Sequence, residues 1–177
     1  MNQIVTYTTK YTVVNIISLG TSTCATMRNY LSFSYMTFQA GQLWVGLYTA
    51  LNVQCLWALN VTSSTTFTQT AVYSPVADVC SVASCAGVVY AIFCNTHFVS
   101  QVATAFVPVA GRYLPGYQDG PLLQAAFNSP SSLVCYSGLL YVADTNNCVI
   151  LQVDVLRNAV TTVAGTPGLC QRINGTA

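Results

Sequence analysis

The strongest constraint on this chain is that one stretch of it is written twice. Gly138-Leu139-Leu140-Tyr141-Val142-Ala143-Asp144-Thr145-Asn146-Asn147-Cys148-Val149-Ile150-Leu151-Gln152-Val153 lies over Gly87-Val88-Val89-Tyr90-Ala91-Ile92-Phe93-Cys94-Asn95-Thr96-His97-Phe98-Val99-Ser100-Gln101-Val102 without a gap, and the Gly, Tyr, Asn and Gln-Val positions coincide. Upstream, Ser129-Pro130 and Val134-Cys135 are set against Ser74-Pro75 and Val79-Cys80; downstream, Thr162–Gly165 is set against Pro108–Gly111. A weaker copy starts at Gly41-Gln42-Leu43-Trp44-Val45 and resumes, after a loop about four residues longer, at Cys55-Leu56-Trp57-Ala58-Leu59, which puts Cys55 where His97 and Cys148 stand. A period of roughly 45 to 55 residues suits repeats built of small sheets and is too long for helical-hairpin arrays.

Each copy reads as four short strands. In the best one, Ser132–Tyr136 is a first strand, Ser137-Gly138 a tight turn and Leu139–Ala143 a second strand of β-branched and aromatic residues. Thr145-Asn146-Asn147 supplies turn formers that tolerate positive φ, before strands over Cys148–Val155 and Ala159–Val163. No window has helical periodicity. Near-continuous apolar strands predict sheets covered on both faces, as when one small sheet packs between two others around an axis.

Four segments make this specific: Gly116-Tyr117-Gln118-Asp119-Gly120, Ala126-Phe127-Asn128-Ser129-Pro130, Leu140 through Ile150 with its Asp144-Thr145-Asn146-Asn147 core, and Val160-Thr161-Thr162-Val163-Ala164-Gly165. Together they resemble one unit of the NHL-repeat β-propeller family, closely from about 109 to 168, moderately from 74 to 111 and faintly from 30 to 72. The resemblance implies an all-β fold, an incomplete open arc of four-stranded antiparallel blades. It marks Asp119, Gly120, Phe127, Asn128, Pro130, Tyr141, Asp144, Asn146, Asn147 and Gly165 as the structural repeat motif. Two departures stand out: Cys148 replaces a frequent His, and Val149, Ile150 and Leu151 replace basic residues, which removes the charge that a nucleic-acid-binding member would use.

The predicted organisation is a partial blade over 1–20, its last two strands at Ile4–Lys10 and Thr12–Ser18, then a degenerate blade over 30–72 and a blade over 73–111. A linker and the best-matching blade follow over 112–168, and 169–177 begins another linker. About three and a half blades fall short of the roughly four to eight that close a ring. The expectation is therefore a fragment of a longer protein, with apolar sheet faces and strand edges exposed at its ends.

Charge narrows the partners. Five Lys+Arg against four Asp+Glu give a net charge of +1, and the basic residues Lys10, Arg28, Arg112, Arg157 and Arg172 are scattered, so no polyanion-binding face is predicted. Hydrophobic residues make up 53% of the chain, which demands a membrane check. Leu43–Val61 is broken by Asn52 and Gln54, and Val76–Cys94 by Asp78, Ser81 and Ser84, so neither is a clean span; membrane contact is expected only through segments outside this chain. Eight Cys and two acceptor triplets, at Asn60 and Asn174, argue for an oxidising exterior with glycosylation of those Asn residues, although the start lacks the pattern of a secretory leader.

Candidate sites each have a structural alternative. Asp144 with Asn146 and Asn147 could ligate a cation, but capping of its own turn is the simpler role; Asp119-Gly120 and Asn174-Gly175 read as linker turns. Cys80, Cys85, Cys94 and His97 offer three thiols and an imidazole for zinc, at a spacing unlike paired knuckles, so disulfides are preferred: Cys80 with Cys85 and Cys135 with Cys148. The chain has no Glu, one His and no Gly-x-Ser-x-Gly elbow, which leaves no catalytic residue, metal or cofactor to assign. The expected function is a noncatalytic scaffold for a protein or glycan, extracellular or on the cell surface, with Tyr113, Tyr117, Tyr136, Trp44 and Trp57 as candidate contacts. The alternative is part of a propeller enzyme, a metal-dependent lyase or hydrolase whose active residues lie in missing blades.

Overall fold

The computed structural model describes residues 6–7, 13–14, 32–48, 54–63, 66–73, 79–103 and 105–170, and the chain divides into two compact units, Met1–Ala77 and Asp78–Ala177. The described elements are β-strands, apart from one 3₁₀ turn.

In the first unit, β1 (Thr6–Tyr7) and β2 (Val13–Val14) form an antiparallel pair. A four-stranded antiparallel sheet follows in the order β3 (Ser32–Gln39), β4 (Gln42–Tyr48), β5 (Gln54–Ser63), β6 (Thr66–Tyr73). Met36 stands opposite Val45 and Phe38 opposite Leu43, so these four share one face, while Thr37 and Trp44 share the other.

The second unit holds two sheets of the same topology. One runs β7 (Val79–Cys85), β8 (Val88–Phe93), β9 (Phe98–Val102), β10 (Phe106–Gly111); the other runs β11 (Pro130–Tyr136), β12 (Leu139–Asp144), β13 (Val149–Asp154), β14 (Ala159–Gly165). Sequential up-and-down order lets each strand pair with the next through a tight turn. The opening hairpin of each four-stranded sheet turns at the same signal, Ala40-Gly41, Ala86-Gly87 and Ser137-Gly138, with both residues at positive φ as a type I′ turn requires.

The core of this unit lies between its two sheets. Ala83, Cys85, Tyr90, Ile92, Val99 and Ala110 of the first sheet cluster with Leu133, Leu140, Val142, Leu151, Val153 and Val160 of the second. The period-2 alternation of a strand produces this division: in β12, Leu140, Val142 and Asp144 are buried, while the intervening Leu139, Tyr141 and Ala143 are only half-buried. In β8 five of the six residues are buried, in keeping with its unbroken apolar run. At the inner edges, Ser81 Oγ accepts the Leu133 N–H at 3.1 Å and donates to the Leu133 carbonyl at 3.4 Å, which joins β7 to β11.

Three sequence readings are corrected. The register sets Val79 opposite Phe93 and Pro130 opposite Asp144, so Val134-Cys135 is level with Ala83-Ser84, four residues beyond the expected Val79-Cys80. Cys55 lies opposite Leu47 inside β5 and corresponds to Val149, one step past Cys148. Positive φ after β12 falls on Cys148 (60°), and at the matching corner on His97 (62°), because Thr145–Asn147 winds as a 3₁₀ turn. Of the two stretches weighed as spans, the described residues are strands and turns. No helix among the described residues is long and apolar enough to cross a membrane.

Gly111 and Gly165 end the fourth strands at equivalent places, with φ of 96° and 90°. A Cβ on Gly111 would lie 2.5 Å from the His97 carbonyl oxygen and 2.7 Å from the Phe127 ring, and one on Gly165 would meet the Cys148 carbonyl. Gly111→Ala adds a left-handed backbone penalty to that collision, so it is expected to lower unfolding free energy by about 2–3 kcal/mol in urea titrations. An unchanged midpoint would remove the constraint assigned to this corner.

Candidate functional site

The segment between β10 and β11 carries four of the ten repeat-motif residues, Asp119, Gly120, Phe127 and Asn128, and its polar groups around Asn128 converge on the end of β12. Asp144 is fully buried there. Its Oδ1 accepts the Asn128 N–H at 2.7 Å and its Oδ2 accepts Asn147 Nδ2 at 2.6 Å; the same Asn147 amide donates to the Gly116 carbonyl at 2.7 Å. Asn146 donates its N–H to the Asn128 carbonyl at 3.1 Å. His97, buried at the equivalent corner of the preceding sheet, accepts the Ser129 N–H on Nδ1 at 3.1 Å. Asp144 thus does not cap its own turn. It holds the linker sixteen residues upstream, at Asn128, and the neighbouring turn is closed by its own backbone, Cys148 N–H to the Thr145 carbonyl. Burial pushes the Asp144 carboxyl above its usual range, and the Asn128 N–H, the Asn147 amide and the nearby His97 pull it part of the way back.

Farther along, the segment runs beside the outer strand β14. Gly120 exchanges backbone hydrogen bonds with Val160 at 3.0 and 2.8 Å, and Asp119 accepts the Thr162 N–H at 2.8 Å and its hydroxyl at 2.9 Å. The edge of β14 is covered as a result. Phe127 is fully buried in the core, Pro130 opens β11, and the Tyr141 hydroxyl accepts Gln152 Nε2 at 3.0 Å. On the opposite end, Asp154 accepts the Arg157 N–H and its guanidinium, both at 2.9 Å, which lowers its pKa.

The expected disulfides are replaced by others. Cys80 pairs with Cys94, Cys85 with Cys135 and Cys148 with Cys170, at Cα separations of 5.9, 5.3 and 5.2 Å. Cys80 and Cys85 lie at opposite ends of β7, and Cys135 lies beside Leu140, a strand length from Cys148, so neither expected bridge can close. All three thiols of the zinc set are thereby bonded, and His97 faces Ser129. Among the described residues no three His, Cys, Asp or Glu side chains are grouped to hold a metal. A shallow apolar depression beside Ala143, Cys148, Ile150 and Ala164 contains one ionisable side chain, Asp144, already engaged.

The remaining expected residues scatter. Tyr113 and Leu114 are exposed on the segment after β10, where the Tyr113 ring meets Phe98 edge-on at a centroid distance of 5.1 Å; Tyr117 is half-engaged, its hydroxyl 2.8 Å from Thr162 Oγ1. Tyr136 is exposed at the other end of the strands. Trp44 is buried and cannot serve as a surface contact, and the Trp57 side chain lies outside the described residues, as does Asn174. Asn60 sits half-buried within β5, between Gln42 and Thr68, instead of in a loop. Sequence reasoning missed Ser81, Leu114 and Leu123; a hydroxyl in an otherwise apolar strand was the available signal for the first.

No family model matches the chain. Part of it is 46% identical over 50 residues to NHL repeat-containing protein 2 of Gallus gallus, and 41% identical over 51 residues to the protein of that name in Homo sapiens. A third relative, SUPPRESSOR OF QUENCHING 1, chloroplastic, of Arabidopsis thaliana, is 44% identical over 52 residues. These matches cover 28–29% of this chain and 5–7% of the relatives, so the chain spans a small part of their length. A structural genomics protein of unknown function from Bacteroides thetaiotaomicron superposes with a TM-score of 0.64 at 16% identity, over 80% of this chain and 38% of that one. An auxiliary nutrient binding protein from the same organism gives 0.51 at 14% identity, over 78% and 49%. The fold is all-β and propeller-like, and it carries NHL-type repeat sequence.

Asp144→Ala would leave the Asn128 N–H and the Asn147 amide without their buried acceptor, at an expected cost of about 2–3 kcal/mol in acid. The folded pKa of Asp144 is raised above 3.8, so its contribution is full below that value and declines as pH rises through the folded pKa. Urea titrations of both proteins should show their stability gap narrowing from acid to neutral pH; a gap that widens would contradict the assignment.

Proposed function

We propose that this chain is a noncatalytic β-propeller repeat scaffold that binds a protein or glycan outside the cell. The observation that carries the reading is how the polar and apolar groups are spent. Asp144, Asn147, Asp119 and His97, the side chains most suited to chemistry, each engage a partner within the fold. Tyr113, Leu114 and Leu123, on the segment that joins the two sheets of the second unit, face solvent instead. A surface segment that shows large apolar side chains while its polar groups turn inward favours contact with a partner over bond making. Three disulfides within one hundred residues support an oxidising compartment.

The test is binding of the purified chain to a glycan array and to a display of extracellular protein domains. Any ligand captured should bind the Tyr113→Ala/Leu114→Ala double variant at least about tenfold more weakly. Ligand binding indifferent to both substitutions would sink this surface assignment. Stoichiometric zinc or calcium by elemental analysis would move the assignment to a metal-dependent lyase or hydrolase.

A further inference from the structure

His97 stands at a corner that meets both ends of the segment joining the two sheets of the second unit. Its backbone is fixed by its own turn, since its N–H donates to the Phe93 carbonyl at 3.0 Å. Where the segment starts, a Cβ on Gly111 would lie 2.5 Å from the His97 carbonyl oxygen, and the Tyr113 ring meets that of Phe98, the next residue, at 5.1 Å. Where it ends, the Ser129 N–H donates to His97 Nδ1 at 3.1 Å, and the histidine is only 9% exposed. A ring nitrogen can accept that bond only while it carries no proton.

The neighbouring donor is held by a group that responds differently to acid. Asn128 donates its N–H to Asp144 Oδ1 at 2.7 Å. A carboxyl that gains a proton keeps an acceptor oxygen, whereas an imidazole that gains its second proton donates from both nitrogens and has no acceptor left. Histidine makes this change between about pH 5 and 8. Both residues joined by the imidazole bond are also left-handed, His97 at φ 62° and Ser129 at φ 50°, a backbone state that persists in such residues where the surroundings hold it. Loss of the bond therefore frees Ser129 to relax. Asp144, from β12, is the charged group facing the imidazole; burial raises its carboxyl, and the Asn128 N–H, the Asn147 amide and His97 pull it back. Strands β7 to β11 contain no Asp, Glu, Lys or Arg, and their titratable tyrosines are Tyr90 within β8 and Tyr136 at the far end of β11. Arg112 is exposed just past Gly111, and Asp119 is taken up by Thr162.

The geometry points to a pH-sensitive latch: neutral His97 clasps the joining segment at Ser129, and uptake of a proton on Nδ1 in mild acid opens the clasp while Phe127 and Asn128 stay in place. The imidazolium then has the Asp144 carboxylate as its counter-charge. The opening is local, because Phe127 is fully buried and the Asn128 carbonyl keeps the Asn146 N–H, and neither contact involves the imidazole. Partner binding through Tyr113 and Leu114 would weaken in acid as well, a consequence that rests on the proposed scaffold role, whereas the latch itself does not.

Heteronuclear NMR of the full chain tests the latch without any partner, and its single His gives one set of imidazole signals. At about pH 7.5 the Nδ1 signal should be that of an unprotonated nitrogen, and by about pH 5.5 both ring nitrogens should carry protons. Along the same titration, exchange protection of the Ser129 amide, taken relative to an unstructured peptide at the same pH, should fall at least about tenfold. Asn128 should keep its protection. His97→Asn tolerates the left-handed backbone and supplies an acceptor that does not titrate, so Ser129 should stay protected in that variant over the whole range. A proton on Nδ1 at neutral pH, an imidazole that gains no second proton before the chain unfolds, or Ser129 protection indifferent to the titration overturns the latch. So does an Asn128 amide that loses protection as steeply as Ser129, or an equal acid loss in His97→Asn. Should that variant not fold, the wild-type signals decide by themselves.

Discussion

The second unit depends on one contact: the aliphatic front face of β11–β14 laid against the rear face of β7–β10. Leu140, Val142, Leu151 and Val153 are removed from water there, and each such side chain contributes about 1.5–3 kcal/mol on full burial. Neither sheet could keep its apolar side dry alone. The contact is then fixed at its inner edge, where Ser81 reaches the backbone of Leu133 and Cys85 is bonded to Cys135 across 50 residues of sequence. Closing a loop of that length restricts the unfolded chain, which adds to the joint without adding area.

The polar corner is a consequence of that packing. Once the sheets stack, the chain must travel from the end of β10 to the start of β11, and its backbone donors must be satisfied where water is excluded. Asp144, Asn147 and His97 answer that need by accepting Asn128 and Ser129 and by donating to Gly116. The same segment then covers the outer edge of β14 through Asp119 and Gly120, and it leaves Tyr113 and Leu114 in solvent. The surface left in solvent is thus whatever the linker does not use in holding the sheets.

Much of the fold was legible because its signals are local. A glycine at each opening turn and alternating aliphatic residues fix hairpins and registers, and the four strands of the best repeat fall within two residues of their expected ends. What the sequence concealed is what depends on stacking. The Cys85–Cys135 bridge joins two repeats, so no spacing within one repeat could suggest it. Asp144 sits beside turn residues and reads as a cap, and only the packed linker shows that its partner is Asn128. Ser81 looked like an interruption in an apolar stretch until β11 lay beside it. The upstream alignment slipped by four residues because Ser-Pro and Val-Cys pairs recur by composition, whereas the register is set by the turn.

Peptide mapping of the unreduced protein by mass spectrometry tests the stacking of consecutive repeats most directly. A linked peptide pair containing Cys85 and Cys135, with Cys80 joined to Cys94, is the result this account requires. Peptides linking Cys80 to Cys85 and Cys135 to Cys148 would contradict it, because those bridges cannot form while the two sheets keep these registers and lie face to face.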